Sequence, residues 1–109
     1  RFRAAENNAK NLVTRITQHP KVTKVRYPGF GAVISFEVDG TAEETQKVCE
    51  SSLLITHATS LGGIESLWER RRRLTLESPS VPEQLIRLSV GCEHVDDLWE
   101  DIQQALTVL

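Results

Sequence analysis

One short segment near the C-terminus limits what this chain can fold into. Residues 85–90 read Leu-Ile-Arg-Leu-Ser-Val, so apolar side chains alternate with polar ones. A period of two is that of a β-strand, and it places the apolar side chains on one face and Arg87 with Ser89 on the other. The sequence therefore predicts a strand that covers a core with one face and presents a guanidinium on the opposite face.

The rest of the chain predicts three helices and three further strands. Apolar residues recur at helical spacing near both ends, and apolar and polar residues alternate between the helices. In chain order we expect a helix that stops before His19, strands at 22–27 and 32–38, a helix capped at Thr41 that ends at 51 or 52, strands at 54–60 and 85–90, and a helix from about Val95. This order predicts an α/β (α+β) two-layer sandwich, with a mostly antiparallel four-stranded sheet and helices packed on one face.

Composition predicts one small soluble domain over residues 1–109. The 13 basic and 15 acidic residues give a net charge of -2, which provides no global field for nucleic acid or an anionic membrane. Two distant cysteines fit reduced thiols in a cytoplasmic protein, and no apolar run is long enough to span a bilayer. We expect a cytoplasmic protein that binds neither nucleic acid nor a membrane.

A glycine turn follows the predicted third strand. Thr59 and Ser60 end that strand, and Leu61 precedes two consecutive glycines whose backbone N–H groups no Cβ shields. Taken alone, this pattern is more often a plain turn, and a lone arginine such as Arg87 on an open sheet face is more often in an ion pair. With an anionic ligand, the turn and Arg87 would instead form a carboxylate site.

Two motifs decide between these interpretations. Residues 60–67 read Ser-Leu-Gly-Gly-Ile-Glu-Ser-Leu, residues 85–91 read Leu-Ile-Arg-Leu-Ser-Val-Gly, and an acidic terminal helix follows at 96–98. The chain resembles, over essentially its whole length, the C-terminal domain of the cystathionine γ-lyase and γ-synthase family, the pyridoxal-phosphate enzymes of cysteine and methionine metabolism. The resemblance implies the small C-terminal domain of a fold-type I enzyme. The larger domain of the family, with the cofactor lysine and the phosphate-binding loop, has no counterpart here, so we expect a domain of a longer enzyme.

The resemblance also implies a substrate-binding site. Arg87 would hold the α-carboxylate of an amino acid such as cystathionine, and Ser60 with the backbone N–H of Leu61 would line the same pocket. Thr59 matches a position that contributes to substrate discrimination. Pyridoxal phosphate would be bound mainly by the large domain, so no catalytic residue and no metal ligand is expected in this chain. The complete enzyme would be a homo-oligomer, a tetramer, that cleaves or exchanges C–S bonds.

The chain departs from the family pattern directly after the first motif. Residues 68–73 read Trp-Glu-Arg-Arg-Arg-Arg, where many members carry a His-Pro-Ala-Ser-x-Thr-His stretch. An arginine run without interleaved aromatic residues is usually a solvated or intersubunit face, although it leaves a weaker nucleic-acid hypothesis open. The departure leaves γ-lyase, γ-synthase, β-lyase, methionine lyase and sulfhydrylase activities all open. A free-standing amino-acid-binding regulatory module is the alternative from another class.

Three further residues receive structural roles. Glu65 and Ser66 follow the glycine turn, where we expect capping and hydrogen bonding. His57 lies in the predicted third strand and is expected to be at least half-buried, with the hydrogen bonds of its ring satisfied.

Overall fold

The computed structural model describes residues 2–59, 64–73 and 80–109. Within these ranges the chain forms three α-helices, five β-strands and one short 3-10 helix at Arg71–Arg73. The elements are Phe2–Thr17 (α1), Val22–Arg26 (β1), Val33–Val38 (β2), Ala42–Glu50 (α2), Thr56–His57 (β3), Leu67–Arg70 (β4), Leu85–Ser89 (β5) and Val95–Leu106 (α3). The capping box at Thr41 is confirmed, because its side chain accepts from the N–H of Glu44 while the Glu44 carboxylate accepts from the N–H of Thr41.

The strands form one mixed sheet in the order β1-β2-β5-β4-β3. All neighbouring pairs are antiparallel except β3 and β4, which are parallel. The expected four-stranded sheet is therefore wrong in strand number, because β4 was not predicted. This strand has four residues and directly continues into the arginine run, so the alternation is too short to be recognised. Of the described residues in the predicted strand at 54–60, only Thr56–His57 form a strand, and it pairs with β4.

The core lies between the sheet and the helices. Inward side chains of β2 and β5 form a single apolar cluster with the buried residues of all three helices, and Trp68 of β4 lies in the same cluster. We call this side of the sheet the inner face and the opposite side the outer face. The central inner-face residues, including Ile34, Phe36, Ile86 and Leu88, have no exposed surface. Burial of this apolar area is the main stabilising term, and it fixes which side chains remain on the outer face.

A buried carboxylate on α3 holds the loop between α2 and β3. The oxygens of Asp101 accept hydrogen bonds from the backbone N–H groups of Leu53, Leu54 and Ile55, at 2.7, 2.9 and 2.8 Å. The side-chain amide of Gln104 donates to the same carboxylate at 3.1 Å. Asp101 is only 5% exposed, so these donors replace the water that the charge has lost. The loop that leads to β3 and Thr59 is thus fixed from the helix layer.

None of the helices in the described part of the chain is both long and apolar enough to cross a membrane.

Candidate functional site

Arg87 lies in the middle of the outer face. The residues on either side of it in β5 are fully buried on the inner face, as the alternation predicted. Strand register places Ser35 of β2 opposite Arg87 on one side and Glu69 of β4 opposite it on the other. Arg26 of β1 continues this row beyond Ser35. The Arg87 side chain is 20% exposed, so it is accessible to a ligand but partly shielded from water.

Two acceptors hold the Arg87 guanidinium. Its Nη2 donates to Oε2 of Glu69 and to the backbone carbonyl of Thr59, both at 3.3 Å. The structure thus brings together two of the predicted site residues, Arg87 and Thr59. Ser60 and Leu61, the other two, lie outside the described residues together with the two glycines of the turn.

Glu69 was not among the predicted site residues, yet it is the most buried charged group on the outer face. Its side chain is 1% exposed, and its Oε1 accepts from Nη1 of Arg71 at 3.1 Å. We call Arg71, Glu69 and Arg87 the arginine–glutamate cluster. A buried carboxylate needs such partners, and in this cluster each oxygen of Glu69 is paired with one guanidinium.

Two of the three nitrogens of the Arg87 guanidinium have no partner among the described residues. Within residues 2–59, 64–73 and 80–109, both of its hydrogen bonds go through Nη2. The Nε and Nη1 groups are thus not engaged by any described residue. The two forks of a guanidinium that match the oxygens of a carboxylate are Nε with Nη2 and Nη1 with Nη2, so both include Nη2. A carboxylate can therefore accept from Nε or Nη1 while Glu69 and Thr59 keep their contacts, and a two-point contact shares Nη2 with them.

A network of hydrogen bonds, which we call the polar latch, holds Ser66 against the end of the strand that carries Arg87. The hydroxyl of Ser66 donates to Oε1 of Glu93, and the Ser66 backbone N–H donates to Oε2, both at 2.8 Å. The N–H of Gly91 donates to the Ser66 hydroxyl at 2.8 Å. This confirms a structural role for Ser66. Glu93 was missed, although it closely follows the predicted strand at 85–90.

The comparisons with known proteins decide the family. Residues 1–107 match the family described as Cys/Met metabolism PLP-dependent enzyme. The chain belongs to this family. Its relatives in the family act on different substrates by name, so membership alone does not fix one reaction.

Three relatives illustrate how the chain matches. It is 37% identical to L-methionine gamma-lyase of Brevibacterium sandarakinum, over 97% of this chain and 32% of that protein. The crystal structure of metB from Corynebacterium glutamicum has a TM-score of 0.91 at 34% identity, over 98% of this chain and 33% of that chain. Cystathionine gamma-lyase from Lactobacillus plantarum, complexed with L-serine, has a TM-score of 0.88 at 34% identity, over 99% and 34%. The chain thus spans about a third of the length of these relatives.

The sequence suggested a solvated or intersubunit face for the arginine run, and in the structure Arg70, Arg71 and Arg72 pair with carboxylates of the domain. Arg70 pairs with Glu83 at 2.9 Å, and Arg72 pairs with the other oxygen of Glu83 at 3.1 Å. The side chains of Arg70 and Arg72 are only 13% and 27% exposed. Arg71 is paired with Glu69. The side chains of Arg70, Arg71 and Arg72 thus all contact carboxylates of the domain, and they do not form a uniform cationic surface.

Pyridoxal phosphate is the cofactor of the family. The four lysines of the chain lie on α1, α2, β1 and the turn before β1, and none of them lies in β4 or β5. The described residues also contain no group of three or more potential metal ligands. His57 differs from expectation, because its buried Nε2 has no hydrogen-bond partner within the described part of the chain. What the described residues offer at this position is a partly exposed guanidinium held by a buried carboxylate.

Proposed function

We propose that this chain is the C-terminal substrate-recognition domain of a pyridoxal-phosphate enzyme that acts on C–S bonds of sulfur amino acids. The single observation that carries the proposal is the arginine–glutamate cluster, in which Glu69 and the Thr59 carbonyl hold Nη2 of Arg87 and leave its Nε and Nη1 groups without a partner among the described residues. The substrate class follows from the names of the relatives, which include methionine and cystathionine lyases. On this proposal a separate large domain of the protein holds the cofactor.

In the proposed site, Arg87 binds the α-carboxylate of an amino acid such as cystathionine. A two-point contact through a planar guanidinium fixes both the position of the carboxylate and its rotation, which orients the α-carbon for reaction. Ser60 and the backbone N–H of Leu61 are proposed to donate to the same carboxylate. Thr59, whose carbonyl orients Arg87, is proposed to contact the part of the substrate that differs between activities.

The outer face is proposed to pack against the rest of the enzyme. Val33 on this face is 39% exposed, and Leu67 and Leu85 are partly exposed beside the charged row. An apolar fringe around a partly buried charged site is typical of a surface that another domain covers. We further propose that the complete enzyme is a cytoplasmic homo-oligomer, a tetramer.

Substitution of Arg87 in the full-length, cofactor-loaded protein tests the proposed function. Arg87→Ala should lower kcat/KM for cystathionine or methionine by roughly 30- to 1,000-fold, and Arg87→Lys by less, because lysine keeps the charge but loses the planar fork. Arg26→Ala is the matched control: Arg26 lies in the same outer-face row but pairs with Glu37. We expect less than about a twofold effect from this exposed pair. Near-wild-type kcat/KM in soluble Arg87→Ala protein would contradict the proposal.

A regulatory amino-acid-binding module remains the second candidate. The observation that favours it is the absence of a lysine beside Arg87 in the described residues, since a recognition site needs no reactive group. The two functions differ in one measurement. An enzyme converts cystathionine or methionine when the full-length protein is loaded with pyridoxal phosphate, whereas a regulatory module binds the amino acid unchanged.

A further inference from the structure

We propose that Glu69 is a positioning residue that holds the Arg87 guanidinium ready for a ligand carboxylate, with Arg71 as its counter-charge. This inference rests on the proposed function, because it assigns a role to Glu69 within the same site. It concerns a residue that no sequence motif had singled out and that the register of two strands brings into the site.

Glu69 contacts the two arginines through different carboxylate oxygens. Each carboxylate oxygen is bonded to one of them, Oε1 to Arg71 at 3.1 Å and Oε2 to Arg87 at 3.3 Å. Glu69 also faces Arg87 directly across the β4–β5 ladder, so the backbone fixes their separation. The Glu69 side chain is 1% exposed, so its carboxylate is shielded from water.

Glu69 and the Thr59 carbonyl together orient the guanidinium plane. Both accept from the same nitrogen, Nη2, so they restrain the rotation of the guanidinium while the N–H groups of Nε and Nη1 have no partner among the described residues. An unrestrained arginine side chain has rotamer entropy that a ligand would otherwise have to overcome. Prior fixation of Arg87 therefore strengthens ligand binding.

The charge balance of the cluster permits this role. A carboxylate beside a ligand-binding arginine would normally compete with the ligand for the positive charge. Arg71 pairs with the other oxygen of Glu69, so the charge of this carboxylate is shared between two guanidinium groups and offsets that of Arg87 only in part. The arginine run thus contributes to the site through Arg71.

A competing role and a positioning role of Glu69 predict opposite changes in carboxylate affinity when Glu69 is neutralised. If Glu69 only competed for Arg87, its neutralisation would raise the positive charge of the cluster and tighten binding of a carboxylate. If Glu69 positions Arg87, its neutralisation loosens the guanidinium and weakens binding despite the added charge. The effect should also be confined to ligands that carry an α-carboxylate.

The experiment measures dissociation constants for L-serine and for ethanolamine, its counterpart without the carboxylate, in the full-length, cofactor-loaded protein. In Glu69→Gln we expect about 5- to 30-fold weaker binding of L-serine and less than about a twofold change for ethanolamine. Glu69→Asp keeps the charge but retracts it, so it should give an intermediate loss. Glu83→Gln is the matched control, because Glu83 pairs with Arg70 and Arg72 and not with Arg87. It should change neither constant.

Unchanged or tighter L-serine binding in either Glu69 variant would overturn the inference, as would an equal loss for ethanolamine. Arg87→Ala distinguishes its failure from that of the proposed function. If Arg87→Ala weakens L-serine binding and the Glu69 variants do not, Arg87 binds the carboxylate and Glu69 has no positioning role. If Arg87→Ala leaves L-serine binding unchanged, the carboxylate binds elsewhere and both proposals fail.

Discussion

The two buried carboxylates of the domain, Asp101 on the inner side and Glu69 on the outer face, are stabilised in different ways. Asp101 accepts from three consecutive backbone N–H groups and from the Gln104 side chain. Glu69 accepts only side-chain donors among the described residues, one guanidinium at each oxygen. Both groups are nearly inaccessible, at 5% and 1% exposure.

This difference indicates different roles. Backbone donors cannot move away from Asp101 unless the loop before β3 unfolds, so that carboxylate is part of the folded framework. The donors of Glu69 are long side chains, and the Nε and Nη1 groups of Arg87 have no partner among the described residues. Substitution of Asp101, which is held by backbone groups, should therefore affect mainly stability. Substitution of Glu69, which is held by arginines, should affect mainly ligand binding.

The largest expected effect is that of Asp101→Ala. It leaves three backbone N–H groups of the loop without their acceptor, and an unsatisfied buried donor costs about 1–3 kcal/mol. We expect a loss of about 3–5 kcal/mol in the free energy of unfolding, measured by urea denaturation. Asp101→Asn retains one oxygen acceptor and should lose less. A loss below about 1 kcal/mol for Asp101→Ala would break the comparison, because the contacts would then not stabilise the fold.

Gly91→Ala should be the next most destabilising substitution, and it extends the comparison to the latch beside the site. A Cβ at Gly91 would lie 2.2 Å from the backbone oxygen of Ile64, which cannot rotate away. We expect a loss of about 1–3 kcal/mol, typical of overpacking, by the same urea measurement. Gly40→Ala is the control, since its nearest obstacle is the flexible end of the Leu109 side chain. An equal or larger loss in Gly40→Ala would contradict the tight packing at the latch.

Glu69→Gln should change stability less than either substitution above. The amide keeps the size of the side chain and one acceptor oxygen, and both arginine partners are partly exposed, at 20% and 22%. We expect a loss of about 1 kcal/mol in the free energy of unfolding. A loss as large as that of Asp101→Ala would show that the arginine–glutamate cluster is equally part of the framework, and the contrast between the two carboxylates would fail.

His19 provides the smallest expected effect and a pH-dependent reference away from both carboxylates. Burial, and then the charge of Lys21, lower the pKa of His19 below its ordinary value of 6.5. Its charged form is disfavoured in the folded state, so stability is unaffected above this value and falls as the pH decreases through and below it. The difference in unfolding free energy between about pH 8 and about pH 5 should be smaller in His19→Asn. An unchanged difference would contradict the assignment to His19.

The sequence predicts the parts of this fold that repeat a pattern. The helices, β2 and β5 each contain enough periodic apolar residues to show their inner face, and the outward direction of Arg87 is confirmed. The strand β4 could not be recognised, because only Trp68 among its four residues lies in the apolar cluster. Thr56–His57 pairs only with this short strand, which explains why β3 is shorter than predicted.

The charged contacts depend on pairing in three dimensions. Glu69 meets Arg87 through the register of two antiparallel strands, which the sequence alone does not specify. Asp101 could have been found, because it lies beside Ile102 on the apolar stripe of α3. A carboxylate at such a position indicates a buried acceptor that needs donors from elsewhere in the fold.

The most direct test of the account is the crystal structure of the full-length, cofactor-loaded protein with L-serine bound. The account predicts that one α-carboxylate oxygen lies about 2.7–2.9 Å from Nε of Arg87 and the other lies near Nη2, which also keeps its contact with Glu69. The carboxylate would then share the pocket with Ser60 and Leu61. A structure in which L-serine is bound with its carboxylate on other residues, and Arg87 contacts only Glu69 and Thr59, would contradict the central claim.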